Sequence, residues 1–263
     1  MIPNKKLHLV SNRDDSRHRA IYLLPNAFTT AALFCGFYAI IQAINGVFDK
    51  ASLSIFAAMV LDGLDGRVAR LTRTQSAFGE QYDSLSDMVS FGVAPAILSY
   101  EWILHGLGKW GWLVCFIYCS GAALRLARFN TNIDIINKSF FQGLPSPAAA
   151  AAVAGFIWLS IDKPEIIQFF ASNNISYSWV LFALTMYVGL SMVSNIPFYS
   201  FKSIAFVNRV PFSALVLFLF IFAGIAIEPA AILFLLFLSY ALSGFIVLMF
   251  YKLIKKGNPV KVK

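Results

Sequence analysis

The sequence predicts an all-α integral membrane protein of about eight transmembrane helices. Three observations carry this expectation. Of the 263 residues 59% are hydrophobic, only 13% are charged and 26 are Phe, with a mean hydropathy of +0.70. A soluble fold of this size needs far more polar surface. Apolar windows of about 17 to 25 residues, long enough to span a bilayer as helix, recur along the chain. Basic residues gather in alternate connections between those windows, the pattern that orients membrane helices.

The elements come in order along the chain. Met1 to Arg19 is charged and has no apolar core before Ile21, so residues 1–20 read as a cytosolic lead-in or interfacial helix rather than a cleavable signal. Spans are then expected at 26–45, 51–70, 80–104, 110–130, 145–161, 176–195, 212–227 and 229–251. Turn and breaker residues separate them: Asn45-Gly46, His105-Gly106-Leu107-Gly108, Asp162-Lys163-Pro164, Asn195-Ile196-Pro197 and Glu228-Pro229.

Orientation comes from Lys and Arg. The N-terminal segment holds Lys5, Lys6, Arg13, Arg17 and Arg19. Arg67, Arg70 and Arg73 follow the second span, and Arg125, Arg128 and Lys138 the fourth. Lys202 and Arg209 follow the sixth, and Lys252, Lys255, Lys256, Lys261 and Lys263 form the tail. These regions contain 18 of the 21 basic residues, leaving Lys50, Lys109 and Lys163 for the other side. Both termini are therefore expected in the cytoplasm, which requires an even number of spans. The net charge of +8 reads as topology and attraction to anionic lipid, and no nucleic-acid partner is needed to explain it.

Four aspartates interrupt this oily chain. Asp62 and Asp65 are three apart and Asp83 and Asp87 four apart, so each pair shares a helix face. The turn containing Thr72 to Ser76 lets the second and third spans run antiparallel with the four carboxylates facing. Ionised groups at such positions are expensive and read as functional. Carboxylates this close repel unless cations neutralise them, and all-oxygen ligands select Mg²⁺, Mn²⁺ or Ca²⁺. A two-metal clamp of this kind suits displacement at phosphorus in a pyrophosphate. Gly63 and Gly66 each cost a helix about 1 kcal/mol against Ala, and with Ala69 they leave a strip open to another backbone or a nucleotide. Arg70, one turn beyond Gly66, can pair with a phosphate.

Other readings of these residues are weaker. A lone intramembrane Asp often pairs helices, but four with Gly66, Ala69, Arg70 and Gly79 at set spacing do not fit that role. The run lacks the alternation of a calcium-binding helix-loop-helix. A cation-coupled transporter would show inverted repeats with broken helices in both halves, and an intramembrane prenyltransferase a second aspartate-rich motif. Cys35, Cys115 and Cys119 lie in apolar spans with no histidine near in sequence, and read as packing residues. The run Ala148 to Ala152 reads as a close-packing helix face. Trp102, Trp110, Trp112, Trp158 and Trp179 fall near span ends, like interfacial anchors.

The pattern Asp62-x-x-Asp65-Gly66-x-x-Ala69-Arg70, eight residues, Gly79-x-x-x-Asp83-x-x-x-Asp87 resembles at every position the signature of the CDP-alcohol phosphatidyltransferases. The resemblance covers about residues 20 to 200. It implies a six-helix core at 21–200, two additional helices at 201–251 and a basic cytoplasmic tail at 252–263. Three further segments resemble the membrane-embedded branch that accepts L-serine: Tyr22 to Thr30, Ala123 to Asn130 and Phe141 to Pro147. The implied reaction joins CDP-diacylglycerol to L-serine and releases CMP. Glycerol phosphate, inositol phosphate or choline are the alternative acceptors.

Carried onto this sequence, the resemblance implies that Asp62, Asp65, Asp83 and Asp87 bind two divalent ions, Mg²⁺ or Mn²⁺. Asp87 also serves as catalytic base on the acceptor hydroxyl, which is a poor nucleophile until its proton is taken. Asn26, Thr29, Gly66, Ala69, Arg70 and Gly79 would meet the CDP-lipid. A pocket for the serine carboxylate needs a cation, for which Arg125 and Arg128 are candidates, with Gln142 and Ser146 as hydrogen-bonding candidates. The alternative readings are positive-inside anchoring for the two arginines and an ordinary loop closed by Pro145 and Pro147 for the other two. The resemblance further implies a homodimer in a bacterial cytoplasmic membrane, its active site facing the cytoplasm.

Overall fold

The computed structural model describes residues 13–72, 74–131, 140–199 and 212–257. Helix α1 (Arg13–Ile44) turns back into α2 (Phe48–Thr72). The turn is closed by backbone bonds from Val47 N to Gln42 O at 2.9 Å and from Gly46 N to Ala43 O at 3.1 Å, with Gly46 at φ +75. This is the Schellman arrangement, which satisfies the last carbonyls of a helix through a left-handed residue that Gly adopts without strain. No helix break falls at residue 20: α1 runs without interruption from Arg13 into the first apolar window.

Beyond a short connection, α3 (Ala77–Asp87) runs into a π-helical turn (Met88–Val93) and on into α4 (Ala94–Trp102). A 3₁₀ turn (Leu104–Leu107) leads to α5 (Lys109–Thr131). Strand β1 (Phe140–Gln142) precedes α6 (Ser146–Asp162), α7 (Glu165–Ser172) and α8 (Tyr177–Val193). Strand β2 (Pro197–Tyr199) then pairs antiparallel with β1, with Phe141 opposite Phe198 and Gln142 opposite Pro197. Helices α9 (Phe212–Ile227) and α10 (Pro229–Gly257) complete the described chain.

Helical rods thus occupy all eight windows that hydropathy marks. Among the described residues, by length and apolarity alone, three segments qualify as spans: Pro25–Ile44, Lys109–Thr131 and Pro229–Ile246. The α7–α8 pair, bent by 104°, makes a fourth if it is one span. Charged side chains lower the apolarity of others: α2 carries Asp62, Asp65, Arg67 and Arg70, and α3 carries Asp83 and Asp87. The protein is an all-α membrane protein with one addition that hydropathy does not announce, the β1–β2 ribbon.

Helix α6 lies at the centre. Ala148 through Ala154 are all buried along it, and this run of small side chains lets α2, α4, α8 and α10 approach closely. A Cβ on Gly155 would sit 3.1 Å from the Phe234 backbone of α10. The last two helices are therefore not appended at random: α10 packs on the central helix, and α9 leans on α10. Outside the core the surface is apolar, as with Phe220 at 73% exposure. Trp110, Trp112 and Trp179 are exposed near helix ends as expected. Trp102 and Trp158 instead pack inward, edge-on to Tyr177 at 5.7 Å and against Phe56 at 5.9 Å. Cys115 is buried and Cys35 and Cys119 half-buried, all three as free thiols. At the end of the bundle opposite the aspartates, Lys163 donates to Glu228 at 2.7 Å, and that bond holds its ammonium above the usual lysine range.

Candidate active site

Asp62 and Asp65 sit inside α2 rather than at its end, and Asp87 is the last residue of α3, where the rod continues into the π-helical turn. Asp62 lies ten residues before the end of α2, about 15 Å at 1.5 Å per residue. Charged residues end a hydropathy window without ending a helix, and so α2 continues through Arg67 and Arg70 to Thr72. Its reversal is held by Thr74 N bonding to Ala69 O at 3.0 Å and by the Thr72 and Thr74 hydroxyls at 2.7 Å. Ser76 then caps α3, its hydroxyl accepting from Gly79 N at 3.0 Å, which satisfies one donor that a helix start leaves open.

Helices α2 and α3 both pack on α1 and bring Asp62, Asp83 and Asp87 together, with one carboxylate oxygen from each within 4.8 Å of the others. The Asp83 Oδ1 atom is buried with no hydrogen-bond partner among the described residues. A buried carboxylate oxygen without a donor is costly, and three carboxylates this close together favour a positive charge among them. The donor set is all oxygen, which fits a hard divalent cation. Asp65 stands one turn along α2, buried, and its Oδ2 accepts the Thr29 hydroxyl of α1 at 2.7 Å. It lies outside the tight trio while remaining an electrostatic neighbour of Asp62 and Asp83.

Beside the aspartates opens a cleft of about 200 Å³. All six residues expected to meet a CDP-lipid line it: Asn26 and Thr29 from α1, Gly66, Ala69 and Arg70 from α2, and Gly79 from α3. Asp65 and Asp83 form its inner wall. Gly79 faces Asn26, whose Oδ1 would lie 3.5 Å from an added Cβ. Gly63 has nothing within 4 Å and Gly66 meets only the Arg70 guanidinium. Both glycines therefore border open space rather than a neighbouring helix. Thr74, Gln75, Ser76 and Glu80 line the same cleft and were not foreseen.

The four residues proposed for an acceptor are also gathered, in two different roles. Arg125 of α5 donates to Ser146 Oγ of α6 at 2.6 Å and faces Asp87 and Asp62 electrostatically, with Tyr240 of α10 as a further neighbour. Ser146 is fully buried. Arg128 is committed elsewhere. Its Nη1 donates to Val193 O and Asn195 Oδ1 at 3.0 and 3.1 Å, and its Nη2 to Gln142 O, Met192 O and Ser194 O at 2.8 to 3.2 Å. Arg128 thereby fastens the ends of α5 and α8 to the β1 turn, and Gln142 enters through its backbone while its side chain is exposed. The bonds of Arg128 thus go to backbone carbonyls and to Asn195, and Gln142 is met through its carbonyl. Gly143, at φ +78 and pressed against Met192 O, makes the same turn possible.

A family model described as CDP-alcohol phosphatidyltransferase matches residues 22–191 of this chain. A protein of Helicobacter pylori strain J99 named CDP-diacylglycerol–serine O-phosphatidyltransferase is 35% identical over 229 residues, 87% of this chain and 93% of its own. A protein of the same name from Mycobacterium leprae is 34% identical over 194 residues, 72% of this chain and 62% of its own. Another from Methanocaldococcus jannaschii is 38% identical over 153 residues, 58% and 65% of the two chains.

Proposed function

We propose, because this chain belongs to the CDP-alcohol phosphatidyltransferase family, that it transfers the phosphatidyl group of CDP-diacylglycerol to L-serine, giving phosphatidylserine and CMP. One observation carries the reading most directly. Asp83, one of the carboxylate trio, lines the same cleft as Asn26, Thr29, Gly66, Ala69, Arg70 and Gly79, so the cleft offers a place for a nucleotide next to a place for cations. Serine as acceptor is supported by the names of the relatives and by Arg125, a cation placed across from Asp87.

In this mechanism the serine hydroxyl attacks the phosphorus that carries diacylglycerol, and CMP leaves. Asp87 takes the hydroxyl proton as the new P–O bond forms, the role of a positioned general base. Arg125, oriented by Ser146, holds the serine carboxylate. Arg70 meets the phosphates from the open side of the cleft, while Thr29 fixes Asp65 through its hydroxyl. Two divalent cations, Mg²⁺ or Mn²⁺, held by Asp62, Asp65, Asp83 and Asp87 would offset the negative charge of the pyrophosphate and of departing CMP.

The fuller architecture belongs to the same proposal. All eight rods cross a bacterial cytoplasmic membrane, with both termini and the mouth of the site cytoplasmic, supported by the alternating basic residues. Residues 21–200 form the catalytic core, 201–251 two added helices, and the enzyme works as a homodimer like its family. The test is to incubate the purified protein with CDP-diacylglycerol, divalent cation and a panel of alcohols, and to identify the lipid formed. Phosphatidylserine is expected. A lipid product from glycerol phosphate or inositol phosphate with none from serine would overturn the acceptor while leaving phosphatidyl transfer standing.

A further inference from the structure

The rod that carries Asp83 and Asp87 changes its winding immediately after Asp87. The six residues Met88–Val93 form a π turn, in which Ala94 N bonds to Val89 O, five residues back. Pro95 explains why the helix widens here. Proline has no N–H for the carbonyl four residues earlier, and its ring crowds that carbonyl; here the carbonyl belongs to Phe91. The fully buried Tyr118 of α5 supplies the missing donor, its hydroxyl bonding to Phe91 O at 2.9 Å. Tyr118 is itself held in place, because Gly189 of α8 packs against its backbone so closely that an added Cβ would lie 3.0 Å from the Tyr118 Cα.

On the opposite side the same turn is gripped by α1. Ser86 Oγ donates to Thr29 O at 3.2 Å and Ser90 Oγ to Ala32 O at 3.1 Å. Gly36 leaves no room for a Cβ against Ser90. The segment around Asp87 is thus fastened to α1 by two serines and to α5 by one tyrosine. An extra residue in a helical turn rotates the helix before it against the helix after it by about 100°. The width of this turn therefore decides whether Asp87 can share the trio with Asp62 and Asp83 while Ala94 and Leu98 remain in the core.

We propose that Tyr118 is a positioning residue for Asp87: by completing the π turn that Pro95 imposes, it sets the Asp87 carboxylate against Asp62 and Asp83. This rests on the reading of Asp87 as a residue of the active site. Tyr118 touches neither substrate nor cation and acts only through the turn.

The experiment compares Tyr118→Phe with Tyr177→Phe in the full-length protein. Tyr177 also shares a buried hydroxyl bond, with Ser160, but far from the aspartates, so it controls for loss of a buried tyrosine contact as such. Two quantities are read: kcat of folded enzyme at saturating substrates, and Mn²⁺ affinity followed by loss of the free-ion electron paramagnetic resonance signal. Tyr118→Phe should lower kcat at least tenfold and weaken Mn²⁺ binding several-fold with the CDP-diacylglycerol KM nearly unchanged, while Tyr177→Phe stays within twofold in both. A kcat or Mn²⁺ affinity within twofold of wild type in Tyr118→Phe, or equal losses in Tyr177→Phe, overturns the proposal. If Tyr118→Phe does not fold, the double variant Tyr118→Phe, Pro95→Ala decides. Its alanine restores a backbone donor to Phe91 O without requiring the wide turn, so a folded but slow enzyme supports the proposal and wild-type kcat overturns it. Asp87→Asn separates the two levels: loss of activity there with normal Tyr118→Phe sinks only the positioning role, whereas full activity in Asp87→Asn sinks the underlying assignment.

Discussion

Arg125 and Arg128 sit one turn apart on α5, and replacing each with Ala should separate a ligand-binding arginine from a structural one. Arg125 donates to Ser146 Oγ at 2.6 Å and faces Asp87. Losing a charge-assisted contact to the serine carboxylate costs about 1.5–3 kcal/mol, which is about 10- to 150-fold in serine KM. Arg128 bonds four backbone carbonyls and the Asn195 side chain. Each carbonyl left without a partner costs about 1–3 kcal/mol when buried. Arg128 is half-buried and water can replace some of these donors, so about 2–4 kcal/mol in total is the expectation. Lysine should not rescue it, since one ammonium cannot span acceptors that a planar fork reaches. The assays are initial rates of phosphatidylserine formation against serine at saturating CDP-diacylglycerol, and thermal unfolding in detergent. Arg125→Ala should raise the serine KM with little change in melting temperature or in the CDP-diacylglycerol KM. Arg128→Ala should lower the melting temperature first. If Arg125→Ala leaves the serine KM within twofold while Arg128→Ala raises it, the division of labour is wrong.

Asn at any of Asp62, Asp65, Asp83 or Asp87 should cost orders of magnitude in rate without simple additivity between pairs, because the carboxylates act as a unit; full activity after exhaustive chelation, or in Asp83→Asn, is incompatible with a metal-dependent site. Single cysteines at Lys50, Lys163 and Lys202 in a cysteine-free background should be labelled by an impermeant thiol reagent on intact cells at the first two positions and not at the third, which lies outside the described residues. The reverse pattern would place the aspartates on the wrong side of the membrane. Gly143→Ala should destabilise the fold by more than the roughly 1 kcal/mol of a strained φ, since its Cβ would also meet Met192 O. Gly63→Ala, with open space around it, should stabilise α2 by about 0.5–1 kcal/mol, and a fall in melting temperature there would contradict the placement of that glycine.

Sequence by itself determined where the helices run and which carboxylates they bring near one another. Hydropathy over bilayer-length windows marks where the eight rods run, because a backbone in lipid must satisfy its own hydrogen bonds and does so as helix. The spacing Asp62, Asp65, Asp83, Asp87 places carboxylates on two facing helix surfaces, because three and four residues return to the same side. Gly66, Ala69, Arg70 and Gly79 belong to the same short stretches as the aspartates, whereas Asn26 and Thr29 on α1 were expected beside them only from the family resemblance.

Tertiary packing decided the rest. Arg125 and Arg128 look alike in sequence, and only the folded ends of α5, α8 and the β1 turn commit one to backbone carbonyls and leave the other beside Asp87. Asp65 is separated from the trio by a hydroxyl on α1, thirty-six residues away. The π turn after Asp87 needs Pro95 in the same helix and Tyr118 in another, and the β1–β2 ribbon pairs segments more than fifty residues apart. A residue's periodicity tells which neighbours share its own face of a helix. Which donor or acceptor arrives from a distant helix depends on how the rods pack, and that contact is what turns an arginine into a clamp or a carboxylate into a ligand.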